Sequence, residues 1–197
     1  MNASTPAVRD PAPMLERALN EWGRQRDLWI FGYASLIWRP EFEFVERRPA
    51  RVHGWHRALK MWSHINRGTP HSPGLVFGML SGGSCRGVVF RVAQAQAHGV
   101  MLHLWQREMP GGVYDPRWLA CQTPQGSVSA LAFTLSRNSP SHTGTLDAAT
   151  YQRIFQQASG RYGSTRDYVY ATNEGLRAVG IHDRALVRLL ALSGSAP

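Results

Sequence analysis

Residues 31–38 read Phe31-Gly32-Tyr33-Ala34-Ser35-Leu36-Ile37-Trp38, and they continue an apolar run that begins at Leu28. The run 28–31 is apolar throughout, which is typical of a strand buried on both faces. Such a strand delivers the small-residue segment 32–36 as a turn at its end. Consecutive backbone N–H groups in a turn of this kind can bind a carboxylate or an oxyanion, although an ordinary strand end has the same pattern. The candidate binding residues are Tyr33, Ala34, Ser35 and Leu36.

Outward from this segment, strands dominate the first two thirds of the chain and helices the last third. We expect a helix at 13–23, a strand or strand pair at 51–62 broken at Gly54, strands at 75–80 and 86–92 joined by a hairpin turn at 81–84, a helix at 93–109, a hairpin at 117–122 and 127–135, and helices from 147 onward. This segregation predicts an α+β fold with a mixed, partly closed β-barrel or sheet flanked by helices. The predicted organisation is a flexible N-terminal tail at 1–13 and a single domain at 14–197.

Glu108 is the candidate catalytic residue. It falls at helical spacing on the same face as Ala97, Met101 and Leu104, near the end of the predicted helix. Burial and the negative end of the helix dipole both disfavour a charged carboxylate there. A carboxyl with a raised pKa can act as a general base near neutral pH, whereas a frayed helix end would only pair Glu108 with an arginine such as Arg107.

Arg67 is a further binding candidate. It lies in the loop Asn66-Arg67-Gly68-Thr69-Pro70, and Pro73-Gly74 follows shortly after. An arginine in a loop held by Gly and Pro can bind a carboxylate through two N–H groups. A surface arginine without a ligand is the alternative.

Composition limits the other classes of function. The net charge is +9, yet Lys60 is the only lysine and the arginines are scattered, so we expect no nucleic-acid partner. Cys85 and Cys121 are far apart and no cluster has metal-ligand spacing, so we expect no metal site and a reduced, cytoplasmic protein. There is no run of eighteen apolar residues and no signal-peptide pattern at the N-terminus, so we expect no membrane association.

The motifs together resemble the ChaC family, which has the γ-glutamylcyclotransferase-like fold. That family's signature is Phe-Gly-Tyr-Gly-Ser-Leu-Ile-Trp, from which residues 31–38 differ only by Ala34 in place of Gly. Further similarities cover roughly residues 28–178: Pro40, Gly54 to Arg57, Asn66 to Pro70 with Asn66 in place of His, Pro73-Gly74, Cys85 to Gly87, Arg107-Glu108 with Tyr114, and more loosely Gly163 to Tyr168. His142 lies where the family often has Tyr.

The resemblance implies an enzyme without a cofactor that converts glutathione to 5-oxoproline and Cys-Gly. It implies that Glu108 moves the proton, that residues 33–36 bind the γ-glutamyl end, and that Arg67 contacts a carboxylate. Two alternatives stay open: the same reaction on another γ-glutamyl donor, and a non-catalytic γ-glutamyl-binding or regulatory protein on the same scaffold. The sequence makes no prediction of oligomeric state.

Overall fold

The structure is a computed structural model, and it describes residues 9–194. Its elements, in chain order, are α1 (Ala12–Trp22), β1 (Leu28–Gly32), α2 (Ser35–Trp38), β2 (Glu46–Ser63), β3 (Gly74–Val92), α3 (Gln94–Glu108), β4 (Asp115–Thr123), β5 (Gly126–Thr134), α4 (Ala148–Gln157), β6 (Ser159–Gly160), β7 (Gly163–Ser164), α5 (Thr165–Arg177) and α6 (Arg184–Ala191).

Five strands form a closed barrel in the order β1-β3-β2-β4-β5. Neighbouring strands are antiparallel except at the closure, where β1 pairs with β5 in parallel at Ile30 and Leu131. Strand β1 lies between β3 and β5, and four of its five residues are buried, which explains its unbroken apolar sequence. The predicted α+β fold with a barrel is therefore confirmed.

The expected hairpin turn at 81–84 is wrong. Strand β3 runs without reversal from Gly74 to Val92 and pairs with β2 on both sides of this segment. Gly82 and Gly83 have positive φ, as turn glycines do, but they form a bulge opposite Gly54, where the register of β2 also shifts. Glycines with positive φ occur both in tight turns and in β-bulges, so the glycines alone did not distinguish them. Strand β2 is likewise continuous from Glu46 to Ser63. It has a bulge at Gly54 and is not broken there.

The N-terminal segment is attached to the barrel from Arg9 onward. Residues 1–8 of the predicted tail lie outside the described residues. Arg9 donates to the carbonyls of Gly112 (2.6 Å) and Tyr114 (2.8 Å) and pairs with Asp115 at 2.8 Å. Helix α1 begins at Ala12, inside the stretch that we expected to be a tail, while the single domain at 14–197 stays a prediction.

Between residues 9 and 194, no helix combines the length and the apolar character that crossing a bilayer requires.

Candidate active site

Glu108 ends helix α3, and its side chain is only 16% exposed. Ala97, Met101 and Leu104 are fully buried on the same helix, as their spacing predicts. Burial raises the pKa of Glu108, the neighbouring Arg107 opposes this rise, and Glu41 adds to it. The net result is a pKa above the ordinary value for glutamate, and a shift in this direction suits a proton acceptor near neutral pH.

The turn that follows β1 lies beside this carboxyl group. Helix α2 begins at Ser35, so the N–H groups of Ser35 and Leu36 have no partner within the helix. Ala34 and Leu36 are each 6% exposed. Arg107 connects the turn with Glu108, because its Nη2 donates to Ser35 Oγ at 3.3 Å and its Nε lies 3.0 Å from Glu108 Oε1. The structure therefore brings the predicted turn and the predicted base together.

Tyr33 is bound to the barrel at both ends. Its hydroxyl group donates to the carbonyl of Phe133 at 2.9 Å, and its own carbonyl accepts from Arg57 Nη1 at 2.6 Å. The phenol is buried, and its hydroxyl group lies within electrostatic range of Glu108.

The hydroxyl groups of three buried tyrosines lie within electrostatic range of Glu108. Burial raises the pKa of Tyr33, Tyr114 and Tyr168, and the charge of Glu108 raises each of them further. These hydroxyls are therefore neutral over the physiological range. Tyr114 and Tyr168 fall in motifs of the resemblance, but their spacing alone gave no sign that they would lie near Glu108.

Arg67 contacts one of these tyrosines, Tyr168. Its guanidinium is centred 5.0 Å from the ring of Tyr168, and its Nη1 donates to the carbonyl of Tyr162. The loop is tight here, since a Cβ on Gly68 would lie 2.0 Å from the nitrogen of Gly74. Arg67 is 8% exposed, so it is a buried cation beside the site and not the surface arginine of the alternative interpretation.

An ion pair between Arg57 and Asp183 supports the turn through the carbonyl of Tyr33. Sequence reasoning did not identify this pair. Arg57 Nη2 pairs with Asp183 Oδ2, while its Nη1 holds the carbonyl of Tyr33. Asp183 also caps α6 by accepting from the N–H groups of Ala185 and Leu186, each at 3.0 Å. Burial raises the pKa of Asp183, but Arg57 and these amides outweigh it, so the pKa falls below its ordinary value.

His142 lies in an isolated bridge to Met61 on β2. Burial lowers its pKa, and the charges of Lys60 and Arg137 lower it further, so the ring is neutral near pH 7. Its replacement of the family tyrosine stays a prediction.

The two cysteines are unsuited to nucleophilic attack. Both are buried, and burial raises the pKa of Cys121 to about 12 and that of Cys85 in the same direction. A thiolate is the reactive form of cysteine, so neither side chain is activated. Among residues 9–194, no three His, Cys, Asp or Glu side chains are grouped so that they could hold a metal ion.

Sequence comparison finds relatives over most of the chain. A family described as ChaC-like protein matches residues 28–195. A protein of Escherichia coli (strain K12) named glutathione-specific gamma-glutamylcyclotransferase is 33% identical over 83% of this chain and 71% of its own length. The human glutathione-specific gamma-glutamylcyclotransferase 1 is 31% identical over 71% of this chain and 64% of its own length.

Structural comparison finds the same fold in yeast. The crystal structure of a yeast gamma-glutamyl cyclotransferase specific to glutathione superimposes with a TM-score of 0.76 at 20% identity, covering 85% of this chain and 96% of the yeast chain.

Proposed function

Since this chain belongs to the ChaC-like protein family, we infer that it is a glutathione-specific γ-glutamylcyclotransferase. Such an enzyme converts glutathione to 5-oxoproline and a Cys-Gly dipeptide. The observation that carries this function is the position of Glu108. Its carboxyl group is largely buried and has a raised pKa, and Arg107 contacts both this group and Ser35 in the turn after β1.

The reaction is an intramolecular substitution. The α-amine of the γ-glutamyl group attacks its own γ-carbonyl carbon, a new C–N bond closes a five-membered lactam, and the bond to the cysteine nitrogen breaks. Both reacting groups belong to one substrate, so the enzyme gains most by holding the chain folded with amine and carbonyl in contact.

We propose that Glu108 moves the proton. A free α-amine has a pKa of about 8, so at neutral pH it is mostly protonated and cannot attack. Ionised Glu108 accepts one proton from the α-ammonium group and then gives it to the leaving cysteine nitrogen, so the carboxylate is restored at the end of the cycle. The attacking nitrogen loses a second proton as the lactam forms, and this proton passes to solvent. The raised pKa of Glu108 brings its affinity for the proton closer to that of the amine.

The turn and Arg67 are the proposed binding groups. The N–H groups of Ser35 and Leu36 are suited to the oxyanion that forms on the γ-carbonyl, because they have no partner in α2. Tyr33 and Ala34 complete this turn through their backbone. Arg67 uses only Nη1 for a side-chain hydrogen bond to another described residue, which leaves donors for a substrate carboxylate.

This chemistry requires proton transfer and orientation, and we propose that it proceeds without a cofactor. We also propose no nucleic-acid partner, because the arginines of this basic chain are scattered along it. We propose a cytoplasmic location because the two cysteines form no disulfide framework, and no membrane partner because the sequence has no run of eighteen apolar residues.

The experiment is to incubate the purified protein with glutathione and identify the products by mass spectrometry. We expect 5-oxoproline and Cys-Gly in equal amounts. A panel of γ-glutamyl amino acids and γ-glutamyl amines at the same concentration tests the specificity, and we expect glutathione to be the preferred substrate. Absence of 5-oxoproline with every γ-glutamyl compound would contradict the proposed function, whereas preference for another donor would contradict only the specificity.

A further inference from the structure

Two arginines converge on one exposed aromatic ring at the surface. The side chains of Arg39 and Arg161 place their guanidinium carbons 5.2 and 5.3 Å from the centre of the Tyr162 ring. Tyr162 is 45% exposed, and Arg161 is exposed as well. Each contact is a cation–π interaction, which orients a guanidinium without neutralising it.

The backbone beneath this cluster is firmly held. The N–H of Arg161 donates to the carbonyl of Ile65 at 2.8 Å, and the N–H of Tyr162 donates to that of Asn66 at 3.0 Å. The carbonyl of Tyr162 accepts from the buried Arg67. The short β6–β7 hairpin is therefore hydrogen-bonded to the loop that carries Arg67, and this pairing fixes the backbone from which the side chains of Arg161 and Tyr162 extend.

The cluster has more positive than negative charge. Arg39 pairs with Glu41 at 2.5 Å, but Glu41 also pairs with Arg107 at 2.8 Å. Arg161 has no carboxylate within ion-pair distance in the part of the chain that the structure describes. Two like charges near one ring repel each other, and an anion placed between them removes this repulsion.

The cluster lies at the rim of the candidate active site. The carbonyl of Arg39 accepts from Arg107 Nη1 at 2.7 Å, and the same guanidinium contacts Glu108 through Nε. A γ-glutamyl peptide that is held at Glu108 by its γ-glutamyl end must direct the rest of its chain outward. In glutathione the glycine carboxylate lies two residues beyond the bond that breaks, roughly 7 Å away when the chain is extended.

We propose that Arg39, Arg161 and Tyr162 form a subsite for the terminal carboxylate of the leaving dipeptide, an inference that rests on the proposed function. In this arrangement Arg67 remains available for the α-carboxylate at the other end of the substrate. The subsite favours γ-glutamyl peptides with a free C-terminus over γ-glutamyl amines, which have no carboxylate at this position.

The test compares glutathione with its glycine ethyl ester, in which that carboxylate is uncharged. We expect Arg161→Gln to raise KM for glutathione about 2- to 5-fold, the size expected of a solvent-exposed charge contact, with kcat within about twofold. KM for the ester should be the same in the wild type and the variant. Arg153→Gln, which removes an equal charge from the exposed face of α4, is the matched control and should leave both KM values unchanged.

An equal change of KM for acid and ester in Arg161→Gln, or no change in either, would overturn the subsite. Failure of the proposed function has a different signature, because the wild type would then release 5-oxoproline from neither compound.

Discussion

Arg107 Nε lies 3.0 Å from Glu108 Oε1, so two consecutive residues at the end of α3 form an ion pair that is mostly shielded from water. Burial raises the pKa of Glu108, and Arg107 limits that rise. The same guanidinium binds Ser35 Oγ and the carbonyl of Arg39. Arg107 therefore tunes the proposed base and positions it against the turn, which makes it a positioning residue.

Arg107→Gln should move the acid limb of the pH–rate profile to higher pH. Arg107 lowers the pKa of Glu108, so its removal raises that pKa, and a higher pH is then needed to ionise the carboxyl. Arg107→Lys keeps the charge and loses the planar fork, so its limb should shift less while kcat still falls. The measurement is kcat/KM for glutathione across pH in all three proteins; identical acid limbs in wild type and Arg107→Gln would contradict this role.

Ala34→Gly should leave turnover within about threefold of wild type, since the substitution only removes a methyl group. Ala34 has φ −143°, outside the left-handed region that favours glycine. The free energy of unfolding should fall by about 0.5–1 kcal/mol, because glycine has more freedom in the unfolded chain. Steady-state kinetics and urea denaturation measure both quantities, and a large loss of kcat would show that the site depends on the methyl group.

Asp183→Asn should lower the free energy of unfolding by about 3 kcal/mol at pH 7, because it leaves the Arg57 cation without its partner. The side chains of Arg57 and Asp183 are 3% and 23% exposed, so water compensates little. Asp147→Asn is the matched control. It alters the cap of α4, where the aspartate is exposed and forms no ion pair with another residue between 9 and 194, and asparagine caps equally well. Equal losses in the two variants would contradict this account of the pair.

The pH dependence of this difference has a definite sign. The pKa of Asp183 is depressed in the folded protein, so its stabilising contribution is complete above the ordinary aspartate pKa, about 3.9. That contribution is lost as pH falls through the lower folded value. The stability gap between wild type and Asp183→Asn should therefore close in acid, as urea titrations at several pH values can show.

Local patterns predicted much of the fold. The apolar run of β1 and the helical spacing of α3 both depend on near neighbours in sequence, and the two elements appear where they were expected. The segment 81–84 was misassigned because its two glycines have the conformation of a turn, while the pairing with β2 decides that β3 continues. Pairing between distant strands is not encoded in a local pattern.

In the candidate site, too, local features could be predicted from the sequence and contacts between distant residues could not. Glu108 and the turn after β1 could be identified from spacing and from the family resemblance. Arg57 and Asp183 could not, since they are 126 residues apart and meet only when α6 packs behind the turn. The direction of the Tyr33 phenol was likewise open until the neighbouring strand supplied the carbonyl of Phe133 as its acceptor.

The central claim is that Glu108 moves the proton in the cleavage of glutathione. Glutamine has nearly the same shape as glutamate and cannot accept a proton, so Glu108→Gln isolates this role. The pKa of Glu108 is raised because burial in the folded protein disfavours the charged carboxylate. The neutral carboxyl group therefore contributes to the free energy of unfolding at low pH, and this contribution is lost as the pH rises through the raised pKa. The variant should therefore be at least as stable as wild type at neutral pH, and melting temperature and glutathione affinity serve as controls.

The most direct measurement is kcat for the release of 5-oxoproline from glutathione by Glu108→Gln. We predict a fall on the order of 10²–10⁴, the usual contribution of a general base, with glutathione binding within a few-fold of wild type. In the wild type the rate should rise with pH as Glu108 loses its proton, and that limb should be missing from the residual activity of the variant. Turnover by the variant within a few-fold of wild type would remove Glu108 from the mechanism.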